Sequence, residues 1–173
     1  VAYKVAIAAV IDATDLDELS EIQTLITTVN TAQTVIADSN AAITTVSVAT
    51  TGDINTVTAD VLNVITGLMD VDTANLVAYK VAIAAVIDAT DLDELTEIQA
   101  LITTVNTAQA AIAAAIAAAN AASDAAITAV AAAATSSDAS GIDMTVLGNI
   151  LSLTGVDAAN LEAYKAAIAA VSN

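Results

Sequence analysis

Two short acidic clusters carry the residues best suited to chemistry in this chain. The eight residues are Asp12, Asp15, Asp17 and Glu18, and then Asp88, Asp91, Asp93 and Glu94. Carboxylate oxygens in a loop between helices are ligands that calcium prefers, although the glycine and distal glutamate of an EF-hand loop are absent. These residues are therefore candidate calcium ligands. Capping of the following helix accounts for the same residues without any ligand, and we favour that interpretation, with no other cofactor expected.

Residues for enzymatic catalysis are scarce elsewhere. The chain has no histidine and no cysteine, and its five glycines form no phosphate-binding loop. Carboxylates are paired only in the two acidic clusters, where solvent is expected to keep their acidity ordinary. We therefore predict that the protein is not an enzyme.

The net charge restricts the partners and the location. Twenty acidic residues against three lysines give −17, which opposes binding to the phosphates of nucleic acids and to anionic membrane surfaces. The most apolar stretch, Ala110–Ala134, carries Asn120, Ser123 and Asp124 near its middle, so we predict no membrane insertion. High acidity and the lack of cysteine are typical of extracellular bacterial proteins, though not specific to them.

An internal repeat organises the chain. Val1–Gln33 recurs as Val77–Gln109 with two changes, and a third copy opens at Glu162. Tyr3, Tyr79 and Tyr164 mark the period, at spacings of 76 and 85 residues. We divide the chain into repeat one (1–71, lacking its first helix cap), repeat two (72–156, with an Ala-rich insertion near 110–121) and the start of repeat three (157–173). Since both ends fall inside a repeat, we expect a segment of a longer array.

The composition predicts an all-α fold. Alanine is abundant, proline is absent, and apolar residues recur at spacings of three and four, as on one face of a helix. We predict elongated tandem helical-bundle repeats, each with one long helix and two shorter ones. Asp72 and Asp157 are each the predicted cap of a tyrosine-bearing helix, and the helix after Asp72 is predicted to run from about Thr73 to Asp88. Asp15 and Asp91 are predicted N-caps of the long helix, with Glu18 and Glu94 completing capping boxes.

The insertion bears on how the long helix packs. About eight extra residues rotate an α-helix roughly 80° beyond two full turns, so a helix packed along its whole length would not tolerate them. We favour one continuous helix whose second half packs independently. The less favoured alternative is a break near Asp38–Asn40. The alanines of 113–122 are expected to allow close helix packing. This stretch is similar to alanine-rich ice-binding peptides, but its threonines lack their eleven-residue spacing.

Other residues have ordinary structural explanations. The three tyrosines are expected to be part-buried with the hydroxyl at the edge of the core. Gln33, Gln109 and Asn40 interrupt the apolar stripe of the long helix and are expected to set helix register.

Three strings carry a resemblance: ATTGDINTVTADVLNVITGL, VDTANLVAYKVAIAAV and LDELTEIQALITTVN. They resemble the helical tandem repeats of very large bacterial surface proteins and adhesins, over most of each repeat. The resemblance implies a non-enzymatic spacer, stalk or assembly unit at the cell surface, whose partners are neighbouring repeats of the same chain or identical chains. Two alternatives stay open: a subunit of a self-assembling extracellular filament or surface layer, and a calcium-dependent adhesion module.

Overall fold

The structure is a computed structural model that describes residues 2–9 and 18–171. The described residues form helices and turns and contain no strand, which confirms the all-α prediction. The seven α-helices are α1 Ala2–Ala8, α2 Leu19–Ala49, α3 Ala59–Val64, α4 Leu76–Ala84, α5 Leu95–Ser136, α6 Met144–Asn149 and α7 Leu161–Ala169. Short 3₁₀ turns lie at Ile54–Thr56, Thr73–Asn75, Ala89–Leu92 and Ala158–Asn160.

Side-chain caps mark where the short helices begin. Thr58 caps α3 by accepting the Val61 N–H at 3.2 Å, and Asp143 caps α6 by accepting the Val146 N–H at 2.8 Å. Asp72 caps the 3₁₀ turn before α4, as predicted. The helix that follows is shorter than predicted, because a 3₁₀ turn takes its first residues and α4 ends at Ala84.

The two long helices, α2 and α5, are each unbroken, which confirms the preference for a continuous helix. The Asp38–Asn40 stretch lies within α2 and causes no break. Neither helix contains proline, and α5 is also rich in alanine, so the helical hydrogen-bond ladder is not interrupted over this length.

The chain divides into two compact units, unit 1 (Val1–Ala108) and unit 2 (Gln109–Asn173). The boundary falls within α5 and differs from the repeat boundaries at 71 and 156, which mark the sequence period rather than the packing. The core of unit 1 gathers fully buried side chains from the second half of α2, the connecting segments, α4 and the first turns of α5. They include Val46, Val57, Leu62, Ile65, Tyr79, Ile83, Leu92, Ile98 and Ile102.

Unit 2 has a smaller core. Its buried residues are Ala133, Ala139, Ile142 and Leu147, with Val130, Val156, Leu161, Tyr164 and Ile168 partly buried around them. Each apolar residue of this set, apart from Ala139, has a counterpart at the same repeat position in unit 1, where most are more deeply buried.

Between their packed ends, both long helices have a stretch that is exposed on every side. Every residue of 30–38 in α2 and of 110–122 in α5 is exposed. The expectation of close packing through the alanines of 113–122 is therefore wrong: no described residue covers them. The eight-residue insertion lies in this exposed stretch, so its rotation displaces no core side chain, and this explains why it is tolerated.

Candidate functional site

Two of the five described acidic residues act as caps, Glu18 for α2 and Asp88 for the 3₁₀ turn Ala89–Leu92. Asp88 accepts the Thr90 N–H at 3.0 Å and the Thr90 hydroxyl at 2.9 Å. Among the described residues, no group of three or more acidic, histidine or cysteine side chains is arranged to hold a metal ion. Asp12, Asp15 and Asp17 lie outside the described residues, so this geometry concerns Glu18 and the second cluster only.

The long helices begin three residues later than predicted. The N-cap of α2 is Glu18 rather than Asp15, and α5 begins at Leu95, so Asp91 is not its N-cap either. Residues Ala89–Leu92 instead form a 3₁₀ turn that places Leu92, 3 % exposed, in the core. The capping acceptor is a glutamate inside the first turn: Glu97 Oε2 accepts the N–H groups of Asp93 and Glu94, both at 3.1 Å.

Hydrogen bonds from turn residues lower the pKa of two aspartates, one in each unit. The backbone N–H and side chain of Thr90 lower the pKa of the Asp88 carboxyl below 3.8. The backbone N–H and side chain of Ser140 lower the pKa of Asp138 in the same way. Both carboxylates are exposed turn acceptors, and such shifts belong to capping as readily as to catalysis.

The most connected polar cluster in unit 1 surrounds Tyr79, whose side chain is fully buried. Its hydroxyl donates to Asn106 Oδ1 and accepts the Asp72 N–H at 3.0 Å. Asn106 Oδ1 also accepts from Asn75 Nδ2 at 2.9 Å, and Asn106 Nδ2 donates to the Asp70 carbonyl at 2.7 Å. Tyr79 is therefore more deeply buried than predicted, because Asn106 of α5 supplies the partner that its hydroxyl needs inside the core.

A second side chain of α5 holds the same segment. Gln99 Oε1 accepts the Met69 N–H at 2.8 Å, and Gln99 Nε2 donates to the Met69 carbonyl at 3.2 Å. Gln99 and Asn106 are seven residues apart and so lie on one face of α5. Together they fix the segment Met69–Tyr79, which we call the tyrosine turn, against the first turns of α5.

Unit 2 contains an equivalent tyrosine turn, Thr154–Tyr164. The Tyr164 hydroxyl accepts the Asp157 N–H at 3.2 Å, as Tyr79 does from Asp72. Tyr164 is only partly buried, whereas Tyr79 is fully buried. The side chain of Tyr3 lies outside the described part of the chain.

The backbone that leads into each tyrosine turn follows the same unusual path. Gly67 and Asp70 in unit 1, and Ser152 and Gly155 in unit 2, have φ values of +89°, +60°, +66° and +75°. Glycine therefore occupies the first left-handed position in one copy and the second in the other. Left-handed conformations are easiest for glycine, so each copy keeps one glycine and strains one other residue.

A buried serine joins each long helix to the end of its short helix. Ser39 Oγ, 6 % exposed, accepts the Thr66 N–H at 2.9 Å, and Ser123 Oγ, 5 % exposed, accepts the Leu151 N–H at 3.0 Å. These serines satisfy an N–H that the left-handed turn leaves without a helical partner.

Sequence reasoning assigned importance to the wrong polar residues of the long helix. Gln33 and Asn40 are exposed and Gln109 is only partly buried, while Gln99, Asn106 and the two serines carry the contacts. The recurrence of Gln23 and Asn30 as Gln99 and Asn106, at a constant seven-residue spacing, was the available signal. It was hard to use because Thr27, Thr28, Thr103 and Thr104 flank the same stripe with polar groups.

Unit 2 also carries an open cleft of about 300 Å³ beside its tyrosine turn. The lining residues are Leu147, Leu153, Thr154, Gly155, Val156, Tyr164, Ala167 and Ile168. A second, shallower cleft includes Lys165, whose Nζ lies 3.0 Å from Glu162 Oε1. Apart from Thr154, Gly155 and Tyr164, the first cleft is lined by apolar side chains, so it presents few groups for acid–base or nucleophilic chemistry.

No family model matches the chain, and it matches neither a curated protein nor a solved structure. The resemblance to helical repeats of surface proteins therefore depends on the quoted strings alone.

Proposed function

We propose that this chain is a non-enzymatic structural segment of a large extracellular bacterial surface protein, in which tandem helical-bundle repeats serve as spacer, stalk or assembly unit. Each repeat would contain one long helix and two shorter ones. The observation that supports this most is the recurrence of packing contacts: the Asp72–Tyr79 and Ser39–Thr66 pairs of unit 1 return as Asp157–Tyr164 and Ser123–Leu151 in unit 2.

What varies between the copies also supports a spacer. The exposed part of the long helix covers 30–38 in α2 and 110–122 in α5, while Ser39 and Ser123, directly after it, make the same contact in both units. Eight added residues lengthen a helix by about 12 Å. A segment whose role is to set a distance tolerates such a change, whereas a catalytic or ligand-binding site at that position would not.

The proposal places the chain outside the membrane. Among the described residues α5 alone is long and apolar enough to cross a bilayer by length and composition, and it is mostly exposed. Its apolar content is largely alanine, and Asn120 and Asp124 lie in its second half. A charged residue within a span is costly, and Ile98 and Ala133 near the ends of the helix are buried in the cores of units 1 and 2.

Small-angle X-ray scattering of the chain and of covalent concatemers of two and three copies tests the spacer role. A spacer increases its maximum dimension by a constant amount with each added copy. Growth with roughly the cube root of mass, as in a compact particle, would contradict the proposal.

The filament or surface-layer alternative has one observation in its favour: apolar side chains remain exposed at two places that correspond to a buried contact within unit 1. The calcium-dependent adhesion alternative has no supporting observation in the described residues. Calcium that binds the folded state must raise the melting temperature. We expect no change on adding calcium or a chelator, and a rise with calcium alone would revive that alternative.

A further inference from the structure

Two exposed surfaces of this chain match the two sides of a contact that unit 1 already makes. The head face lies on the first turns of α2 and consists of Leu19, Ile22, Gln23 and Ile26. The tail face lies on unit 2 and consists of Leu147, Leu153, Val156, Tyr164 and Ile168. Resting on the proposed function, we propose that the head face of one copy docks onto the tail face of a second copy, so that chains associate head to tail.

The burial of equivalent residues identifies the head face. Ile98 and Ile102 of α5 are 1 % and 0 % exposed, whereas Ile22 and Ile26, at the same positions of a nearly identical sequence in α2, are 41 % and 36 % exposed. Leu19 is 81 % exposed, while its counterpart Leu95 packs against the core of unit 1. The same helix surface is thus buried in one copy and open in the other.

The tail face shows the complementary difference. In unit 1 the counterparts Leu62, Leu68, Val71, Tyr79 and Ile83 belong to the cluster that buries Ile98 and Ile102. In unit 2, Leu153 is 46 % exposed, and Tyr164 and Ile168 are only partly buried around the open cleft. Helix residues of the type Leu–x–x–Ile–x–x–x–Ile are what these side chains surround in unit 1.

Polar groups on the two faces match as well. In unit 1 the Gln99 amide pairs with the backbone N–H and carbonyl of Met69. Gln23, the counterpart of Gln99, is exposed on the head face, and Thr154, the counterpart of Met69, lines the cleft. The same two hydrogen bonds therefore become available across the contact.

Helix α1 contacts α2, and α4 packs against α5 through Tyr79 and Ile83. Since α1, α4 and α7 share the AYK–x–A–I–A pattern, docking in the same arrangement brings α7 of the second copy to α2 and requires α1 to leave it. Helix α7 follows α6 and a turn, which supply Leu147, Leu153 and Val156 to the tail face. A contact between two different surfaces is heterologous and extends into open chains or rings.

Sedimentation velocity of the whole chain, from about 1 µM to about 1 mM, covers the range in which weak specific contacts dissociate. The wild type is expected to form larger species as concentration rises, more so at higher salt, because salt screens the repulsion between chains of charge −17. A wild type that stays monomeric throughout rejects a second copy as the occupant.

Two variants identify the surfaces. Ile26→Asp alters only the head face and Leu153→Asp only the tail face, and each is expected to raise the dissociation constant at least about tenfold by placing a carboxylate in an apolar contact. An equimolar mixture should form a one-to-one dimer and nothing larger, since one intact face remains on each variant. A mixture that stays monomeric while the wild type assembles would overturn the head-to-tail geometry.

The matched control is Ile116→Asp, which changes an exposed isoleucine of α5 outside both faces. This variant should assemble like the wild type. Loss of assembly would show that the contact involves the exposed part of α5 instead. Gln23→Ala, which touches no core residue, should weaken association about three- to tenfold. If Ile26→Asp loses helicity by circular dichroism, Gln23→Ala alone decides the head face. Scattering from the monomeric chain and from concatemers tests the spacer role separately. The head-to-tail contact and the spacer role can therefore be rejected independently.

Discussion

The two tyrosine turns are similar pieces of sequence in two different surroundings. In unit 1 the turn Met69–Tyr79 lies against α5, and Gln99 and Asn106 complete its hydrogen bonds. In unit 2 the turn Thr154–Tyr164 keeps its internal bond from Asp157 but has no such helix in the described residues. The turn therefore forms from local chemistry, and the long helix adds the burial and the polar partners.

The largest expected effect comes from truncating the same isoleucine in each unit. Ile83 is 1 % exposed and Ile168 only partly buried. Ile83→Ala should destabilise unit 1 by about 3 kcal/mol, and Ile168→Ala should destabilise unit 2 by about 1 kcal/mol, because less buried surface and a smaller cavity are involved. Hydrogen exchange followed by mass spectrometry reports each unit separately. Equal losses would mean that the two cores are equally complete.

Removing the polar partner of Tyr79 should have the next largest effect. Asn106→Ala deletes one acceptor of the buried Tyr79 hydroxyl and the bond to the Asp70 carbonyl, which should cost about 1–3 kcal/mol. Urea denaturation monitored by exchange in unit 1 measures it. The matched control is Asn120→Ala on the exposed part of α5, where a change within about 0.5 kcal/mol is expected. A similar loss in both variants would argue against the hydrogen-bond network.

Glycine occupies a different left-handed position in each unit, and this permits a test of smaller effect. One variant is expected to stabilise its unit and the other to destabilise its unit. Ser152→Gly should stabilise unit 2 by up to about 1 kcal/mol by relieving a left-handed serine. Gly67→Ala should destabilise unit 1 by about 1–2 kcal/mol, since φ is +89° and the added methyl would lie 3.1 Å from Leu95 Cδ2. Thermal melting with exchange measures both. Destabilisation by Ser152→Gly would show that the serine side chain outweighs the backbone strain.

The smallest effect concerns two exposed caps, Asp88 in unit 1 and Asp138 in unit 2. Both carboxyls have a pKa below 3.8, so their ionised forms stabilise the fold above the unfolded pKa, and this stability is lost as pH falls through the folded pKa. Asp88→Asn and Asp138→Asn should each lower the melting temperature at neutral pH but not in strong acid. A difference that is independent of pH would show that charge is not its cause.

Much of the helical structure could be predicted from the residues. The absence of proline and the three-four apolar spacing predict the helices, and the caps at Asp72 and Asp157 place the starts of two short elements correctly. The start of the long helix was misplaced because Asp91 and Glu94 have the spacing of a capping box. The burial of Leu92 in the core draws that segment into a separate 3₁₀ turn, and a local pattern does not contain this tertiary contact.

The candidate site was predictable only in part. The acidic residues were noticed because carboxylates are conspicuous, yet Asp88 has the role of a turn cap. The roles of Asn106 and Gln99 are not visible in the sequence, because a neutral amide on a helix is usually solvated and these two gain their partners only where the tyrosine turn approaches α5. The same reason explains why Tyr79 is fully buried.

The sequence by itself determined that this protein is helical, repeated, strongly acidic and poor in catalytic groups, because composition and period act locally and add along the chain. Tertiary structure decided which parts of the long helices are packed and which are exposed, and which polar side chains enter the core. Burial depends on what lies beside a residue in space. Ile22 and Ile98 have nearly the same neighbours in sequence, yet 41 % and 1 % of their surfaces are exposed.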